Sequence, residues 1–119
     1  MANILRSHAR ERRLVPRYKL ALPIEVRVIA EPSRFLHSTT RDVSSRGVYF
    51  VVDQELLPGS EIDLRLTLPD EPIRGPNAFV EARGRVVRTD AKTENGTERV
   101  GVGACIGSYY FARTQAFSL

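Results

Sequence analysis

Several short runs of the chain alternate between apolar and polar residues, which is the pattern of strands with one buried face. Five apolar residues share one face of the first run: Leu20, Leu22, Ile24, Val26 and Val28. Another run, which is the fourth strand in chain order, places four apolar residues on one face: Ile62, Leu64, Leu66 and Leu68. A period of two predicts β-strands at both places.

Four further strands follow from weaker patterns. Residues 35–42 form an irregular second strand, and residues 48–52 a third that is apolar on both faces and therefore lies near the middle of the fold. The fifth and sixth strands, at about 80–87 and 97–106, again alternate in polarity. These strands are separated by turn residues, at 31–34, 57–59, 69–77 and Asn95-Gly96, and the last is a strong hairpin signal. The chain is therefore predicted to be all-β, a small six-stranded antiparallel barrel.

Length and composition fit one domain. The chain has 119 residues, of which 42% are hydrophobic and 27% charged, and no apolar run is long enough to span a bilayer. The Arg-rich start is not followed by the apolar segment of a secretory signal, so we expect a cytoplasmic protein. The single cysteine, Cys105, excludes a disulfide within the chain.

Positive charge is concentrated at the start of the chain. Residues 1–19 carry six Lys or Arg and one Glu, whereas the other 100 residues sum to a charge of −1. Residues 1–17 also lack a periodic apolar face, so we predict a flexible basic arm at 1–17 and a barrel domain at 18–119. A local basic segment on a nearly neutral body favours a local anion site over a surface that binds nucleic acid throughout.

Two short motifs carry the candidate chemistry. Arg12, Arg13 and Arg17 form the pattern RRxxxR in the arm, and Asp42, Ser44 and Gly47 form the pattern DxSxxG between the second and third strands. Arginine presents a planar fork of donors that suits phosphate and the O6 and N7 atoms of guanine. A carboxylate and a hydroxyl can accept from guanine N–H groups. The two motifs together predict a nucleotide site.

The order and separation of these motifs, with a strand that begins directly after the last arginine, resemble those of PilZ domains. The likeness runs from Glu11 to about Ile106. PilZ domains are bacterial receptors for the second messenger cyclic di-GMP. The resemblance implies a six-stranded antiparallel barrel of split-barrel or SH3-like size, often with a C-terminal helix packed on it. Only residues 109–119 remain for that helix, so we expect a short one at most.

The resemblance also implies the roles of single residues. It assigns Arg13 and Arg17 to phosphate and guanine, Asp42 and Ser44 to a guanine edge, and Gly47 to the turn. An arginine at position 12 implies that cyclic di-GMP binds as a mutually stacked pair of molecules. Arg88, near the end of the fifth strand, is either a ligand contact or an ordinary surface charge. Output would pass to a protein partner, because no output domain is attached.

Other functions have less support in the sequence. An enzyme is not expected, because His8, His37 and Cys105 do not have the spacing of a metal or nucleophile site, and no cofactor is implied. A small barrel that binds nucleic acid through its basic arm is the main alternative, although few aromatics are available for base stacking. A protein-interaction module that binds no nucleotide is a third possibility. The motif DVSSRG could also be a self-capped turn without a ligand.

Overall fold

The computed structural model describes residues 17–72 and 75–113, and these residues form strands, turns and loops without a helix. The six strands are Pro23–Val28 (β1), Glu31–Val43 (β2), Gly47–Val52 (β3), Glu61–Thr67 (β4), Ala78–Glu94 (β5) and Thr97–Arg113 (β6). They form a closed barrel in the order β1-β2-β3-β6-β5-β4, and every neighbouring pair is antiparallel. The predicted fold class is therefore confirmed.

The barrel interior is filled by the alternating apolar residues that the sequence pattern predicted. Ile24, Val26 and Val28 of β1 point inward, as do Ile62 and the two alternate leucines that follow it in β4. Phe50 of β3 is fully buried at the centre of this core. Each such side chain stabilises the fold by roughly 1.5 to 3 kcal/mol through the apolar area it removes from water.

Two predictions about the first half of the chain are wrong in detail. The chain reverses after Val28, at residues 29–30, so that residues 31–34 belong to β2 and are not a turn. Leu20 precedes β1 and is 44% exposed, because the regular strand begins only at Pro23. Proline is tolerated at the first residue of a strand, where its missing N–H leaves no hydrogen bond of the ladder unmade.

The β5–β6 hairpin is much longer than predicted, with 17 residues in each strand. Its turn is the predicted Asn95-Gly96, and both residues have positive φ, 52° and 76°, as a tight hairpin turn requires. Two residues have no opposite partner and form bulges, Val87 in β5 and Gly107 in β6. Residues 109–113 continue β6, so they do not contribute to the short C-terminal helix that was expected at most. Residues 114–119 lie outside the described residues.

No helix in the described part of the chain is long and apolar enough to cross a membrane.

Candidate functional site

The reversal between β2 and β3 is stabilised by its own serine. Ser44 Oγ accepts hydrogen bonds from the backbone N–H groups of Arg46 and Gly47, at 3.2 and 3.1 Å. The backbone N–H of Ser44 donates to the Gly47 carbonyl at 2.9 Å. Ser44 therefore has a structural role in this turn, as the self-capped interpretation of DVSSRG anticipates for the serine. The turn leaves Asp42 on the outer face of β2.

Gly47 is needed for a reason that differs from the expected one. It was expected to permit the turn, but its φ is not positive, unlike the φ of Gly59, Gly75 and Gly96. A Cβ at position 47 would instead lie 3.0 Å from the Ala104 carbonyl oxygen. Glycine thus lets the first residue of β3 approach the backbone of β6 closely.

A two-residue bridge brings the end of the arm to this turn. The Tyr18 N–H donates to the Val43 carbonyl at 2.8 Å, and the Val43 N–H donates to the Tyr18 carbonyl at 2.9 Å. Arg17, the residue before Tyr18, then places its guanidinium 3.3 Å from the Asp42 carboxylate. The two motifs, 25 positions apart, therefore meet. Such an exposed pair contributes little to stability, roughly 0 to 1 kcal/mol, so its geometry matters more than its energy.

Two glycines of β6 open the surface beside this pair. Gly103 lies opposite Arg88 in β5, and a Cβ there would approach the Arg88 side chain to 3.1 Å. At Gly101, a Cβ would collide with the Tyr49 hydroxyl, which donates to Asp90 at 3.2 Å. Glycine at both positions leaves room for an aromatic ring and a guanidinium to lie flat on the sheet.

These parts surround one open cavity of about 360 Å³, within the size range of small-molecule sites. Its walls include predicted site residues from both motifs: Arg17, Asp42, Ser44 and Gly47. They also include residues that the prediction missed or left open: Arg46, Tyr49 and Arg88. Three arginines against one carboxylate make the cavity a site for an anion with hydrogen-bond donors of its own.

Some of the missed residues carry a signal in the sequence. Tyr49 follows Gly47 by two positions, so it must share the outer face of β3 with it. Arg46 stands at an unspecified position of DxSxxG and has no such signal. Arg12 and Arg13 lie outside the described residues, so their positions relative to the cavity stay predictions.

A larger cavity, of about 720 Å³, lies on the outer face of β1, β4 and β5 and contains none of the predicted residues. Four of its six charged residues form ion pairs across the strands, with Arg65 at 2.5 Å from Glu81 and Arg83 at 2.6 Å from Asp63. The hydrogen bond from Arg65, followed by that from Tyr110, lowers the pKa of the Glu81 carboxyl. Because its three arginines are balanced by three carboxylates, this surface suits an anion less well than the smaller cavity does.

Metal and nucleophile chemistry has few candidates in the structure. Among residues 17–72 and 75–113, no three His, Cys, Asp or Glu side chains are grouped closely enough to hold a metal ion. Cys105 is exposed at the rim of the smaller cavity. His37 lies on the outer face of β2, 3.8 Å from Glu25.

Several solved structures share this fold. The Bacillus subtilis inhibitor of motility MotI/DgrA aligns with a TM-score of 0.62 and 16% identity, over 82% of this chain and 43% of that one. The PilZ domain of Escherichia coli YcgR, solved with c-di-GMP, aligns with a TM-score of 0.58 and 11% identity, over 80% of this chain and 77% of that domain. Borreliella burgdorferi PlzA, in complex with c-di-GMP, aligns with a TM-score of 0.58 and 12% identity, over 90% of this chain and 49% of that one.

At these identities the likeness shows the fold alone, and the chain spans less than half the length of the Bacillus and Borreliella proteins. No curated protein sequence matches the chain. The sequence model of the PilZ domain, however, matches residues 5–105, which is most of the chain and includes both motifs. With the closed six-stranded barrel, that match establishes that the chain belongs to the PilZ domain family.

Proposed function

We propose that this protein is a receptor for cyclic di-GMP, that ligand binding orders its arginine-rich arm of residues 1–17, and that the ordered arm signals to a protein partner. The observation that carries the proposal is the meeting of Arg17 and Asp42 at one cavity, with Ser44 and Gly47 beside them. PilZ domains are commonly receptors for this nucleotide and are not typically catalysts. Two structural relatives were solved with it.

The chemistry of the cavity matches the ligand. Cyclic di-GMP carries two phosphates and two guanines, and Arg17 is 67% exposed, so most of its five donors are free for phosphate oxygens or guanine acceptors. The Asp42 side chain is 25% exposed and retains acceptor sites for guanine N1–H and N2–H. Arg88 extends along the base of the cavity over Gly103, where a guanidinium can stack on a base.

The arm supplies the remaining donors in this proposal. Arg13 joins Arg17 on phosphate and guanine, while Ser44 assists Asp42 at the guanine edge. Each charge-assisted hydrogen bond contributes roughly 1.5 to 3 kcal/mol, and several of them offset the entropy lost when the arm is ordered. The arm and the nucleotide together then present a new surface to the partner.

A calorimetric titration with cyclic di-GMP, GTP and the linear dinucleotide tests the proposal. Arg17→Lys and Asp42→Ala should each weaken cyclic di-GMP binding about tenfold or more, because each removes at least one charge-assisted hydrogen bond. The matched controls Arg85→Lys and Asp70→Ala lie outside the cavity and should bind as the unaltered protein does. Equal affinity for cyclic di-GMP in the unaltered protein, the two cavity variants and the two controls would overturn the assignment of this cavity as the nucleotide site.

The other functions give different results in the same titration. Salt-sensitive binding to single-stranded DNA or RNA of any sequence, without a preference for cyclic di-GMP, would indicate the nucleic-acid barrel instead. Binding to no nucleotide at all would leave a protein-interaction module.

The number of ligand molecules bound depends on Arg12 in this proposal. Because a second nucleotide stacked on the first needs its own phosphate donors, the unaltered protein should bind two molecules per chain and Arg12→Ala should bind one. Calorimetric stoichiometry measures this directly. One molecule per chain in both proteins would remove the role of Arg12 and leave the receptor proposal intact.

A further inference from the structure

The long β5–β6 hairpin leaves two strand edges without a neighbour in the described part of the chain. β4 pairs with β5 only as far as Arg85, so residues 87–94 of β5 have β6 on one side and no strand on the other. β3 pairs with β6 only as far as Cys105, so residues 107–112 of β6 pair with β5 and with no second strand of the described chain. On that open side, the backbone hydrogen bond farthest along β6 among the described residues is the one that the Ile106 N–H donates to the Arg46 carbonyl.

The two open edges have opposite characters. The β5 edge carries a charge at every second residue, Arg88, Asp90, Lys92 and Glu94, which is a common way to prevent an exposed strand from pairing. Residues 107–112 of the β6 edge, Gly-Ser-Tyr-Tyr-Phe-Ala, have neither charge nor proline. Within them Tyr109, Tyr110 and Phe111 are 48%, 60% and 69% exposed. Only the β5 edge is therefore protected against pairing with another strand.

We propose that residues 108–112 of β6 pair antiparallel with the same residues of a second copy, across a two-fold axis at Tyr110. The sequence of this edge is self-complementary in that register. Tyr109 lies opposite Phe111 of the partner subunit, Ser108 lies opposite a small alanine, and no two like charges face each other. The interface is isologous, so it closes at two chains and does not extend into a fibre.

The aromatic side chains are already arranged for this contact. Tyr109 and Phe111 form an edge-to-face pair with ring centroids 6.1 Å apart, on the side of the hairpin that continues the barrel interior. Pairing with a second copy would bring the equivalent rings beside them and remove exposed aromatic area from water. Tyr110 lies on the opposite side, where its hydroxyl donates to Glu81 at 2.9 Å and needs no partner from the second chain.

Sedimentation equilibrium without nucleotide tests the dimer independently of the receptor proposal. Up to about 1 mM, the unaltered protein should shift from the mass of one chain to that of two as concentration rises. Phe111→Lys introduces a charge at the unprotected edge and should stay monomeric at every concentration. The control Thr93→Lys introduces the same residue at the charged β5 edge, next to Glu98, and should dimerise normally.

A monomer at every concentration of the unaltered protein would overturn the proposal and leave the edge to a strand of another protein. A dimer that Phe111→Lys does not weaken would overturn it too, because the contact would then lie elsewhere. Equal urea midpoints of the two lysine variants establish that both are folded, which is expected because residue 111 is mostly exposed.

Disulfide cross-linking tests the register. In a Cys105→Ser background, Tyr110→Cys places two thiols opposite each other at about 5 Å between Cα atoms, so oxidation should give a covalent dimer. Ser108→Cys in the same background is the matched control, because its two copies would be about 14 Å apart, too far for a bond. Cross-linking by the control, or by neither variant, would overturn the paired register.

Discussion

Thr40 is the one polar side chain that is buried among the residues the structure describes. It lies in β2 at the end of the barrel where the chain enters β1. Its hydroxyl accepts from the Leu22 N–H at 2.9 Å and donates to the Leu20 carbonyl at 2.5 Å. The segment before Pro23 has not yet joined the regular β1 ladder, so this hydroxyl supplies a partner for the buried Leu22 N–H and for the part-buried Leu20 carbonyl.

We expect Thr40→Val to lower the free energy of unfolding by about 1 to 3 kcal/mol. Valine fills the same volume but leaves the Leu22 N–H and the Leu20 carbonyl without this partner, and a buried unsatisfied group costs its full desolvation. Urea unfolding measures the change, with Thr39→Val as the control because Thr39 is exposed on the same strand. A change as small as that of the control, within about 0.5 kcal/mol, would show that water replaces the hydroxyl.

The sequence predicted some residues of the candidate site better than others. Arg17 and Asp42 were predicted to lie close together, and the Tyr18–Val43 bridge beside them leaves their charged groups 3.3 Å apart. Gly47 was predicted to serve the turn, in which it lies, but its close approach to Ala104 was not predicted because it depends on which strand lies beside β3. Neighbours of β3 that are distant in sequence are set by the barrel closure, which the local pattern does not contain.

At the scale of elements, the same limit explains why β5 and β6 were predicted too short. The alternation that predicts a strand changes phase at each bulge, and bulges occur at Val87 and Gly107. Up to Val86 the even-numbered residues of β5 point inward, whereas after Val87 the even-numbered Arg88 and Asp90 lie on the outer face, so residues 88–94 no longer match a core-facing pattern. Strands β1 and β4 contain no internal bulge. The predicted fourth strand matches β4 to within one residue, and the predicted first strand ends with β1 at Val28 but begins three residues before Pro23.

The bulge at the centre of this hairpin needs a glycine in β5 more than in β6. A Cβ at Gly84 would lie 2.5 Å from the Cys105 carbonyl oxygen, whereas one at Gly107 would lie 3.7 Å from the Arg83 carbonyl oxygen, an ordinary contact. We expect Gly84→Ala to destabilise the protein by about 1 to 3 kcal/mol, since the backbone of β6 must shift to admit the methyl group.

Urea unfolding of Gly84→Ala and Gly107→Ala compares the two sides of the same bulge. The second variant should lie within about 0.5 kcal/mol of the unaltered protein, because neither space nor φ opposes alanine there. Equal effects of the two substitutions would mean that the hairpin adjusts its register freely, and would argue against a rigid bulge.

Across the whole molecule, ion pairs connect strands that are distant in sequence. Glu94 near the β5 hairpin turn accepts from Arg41 of β2 at 2.8 Å and from Arg99 of β6 at 3.3 Å, and Arg99 also pairs with Asp53 after β3. The group lies over the outer face of β3, where Val51 is buried although it points away from the core cluster. Charged side chains thus cover an apolar position on the outside of the barrel.

Glu94 and Glu81 contribute to the way in which the stability of the molecule depends on pH. The hydrogen bond from Arg41 lowers the pKa of Glu94, and that from Arg65 lowers the pKa of Glu81, in both cases below 4.5. A carboxyl with a lowered folded-state pKa contributes stability that is present above its unfolded pKa and is lost as the pH falls through the folded value. The melting temperature should therefore decrease as the pH falls below about 4.5.

The variant Glu81→Gln with Glu94→Gln should be less stable than the unaltered protein near pH 7 and should lose less stability on acidification. Its glutamines keep the shape and an acceptor for each arginine but cannot ionise, so the two melting curves should converge toward about pH 3. Thermal unfolding by circular dichroism at a series of pH values measures this. A constant difference between the two proteins from about pH 7 to about pH 3 would mean that other carboxylates control the acid transition.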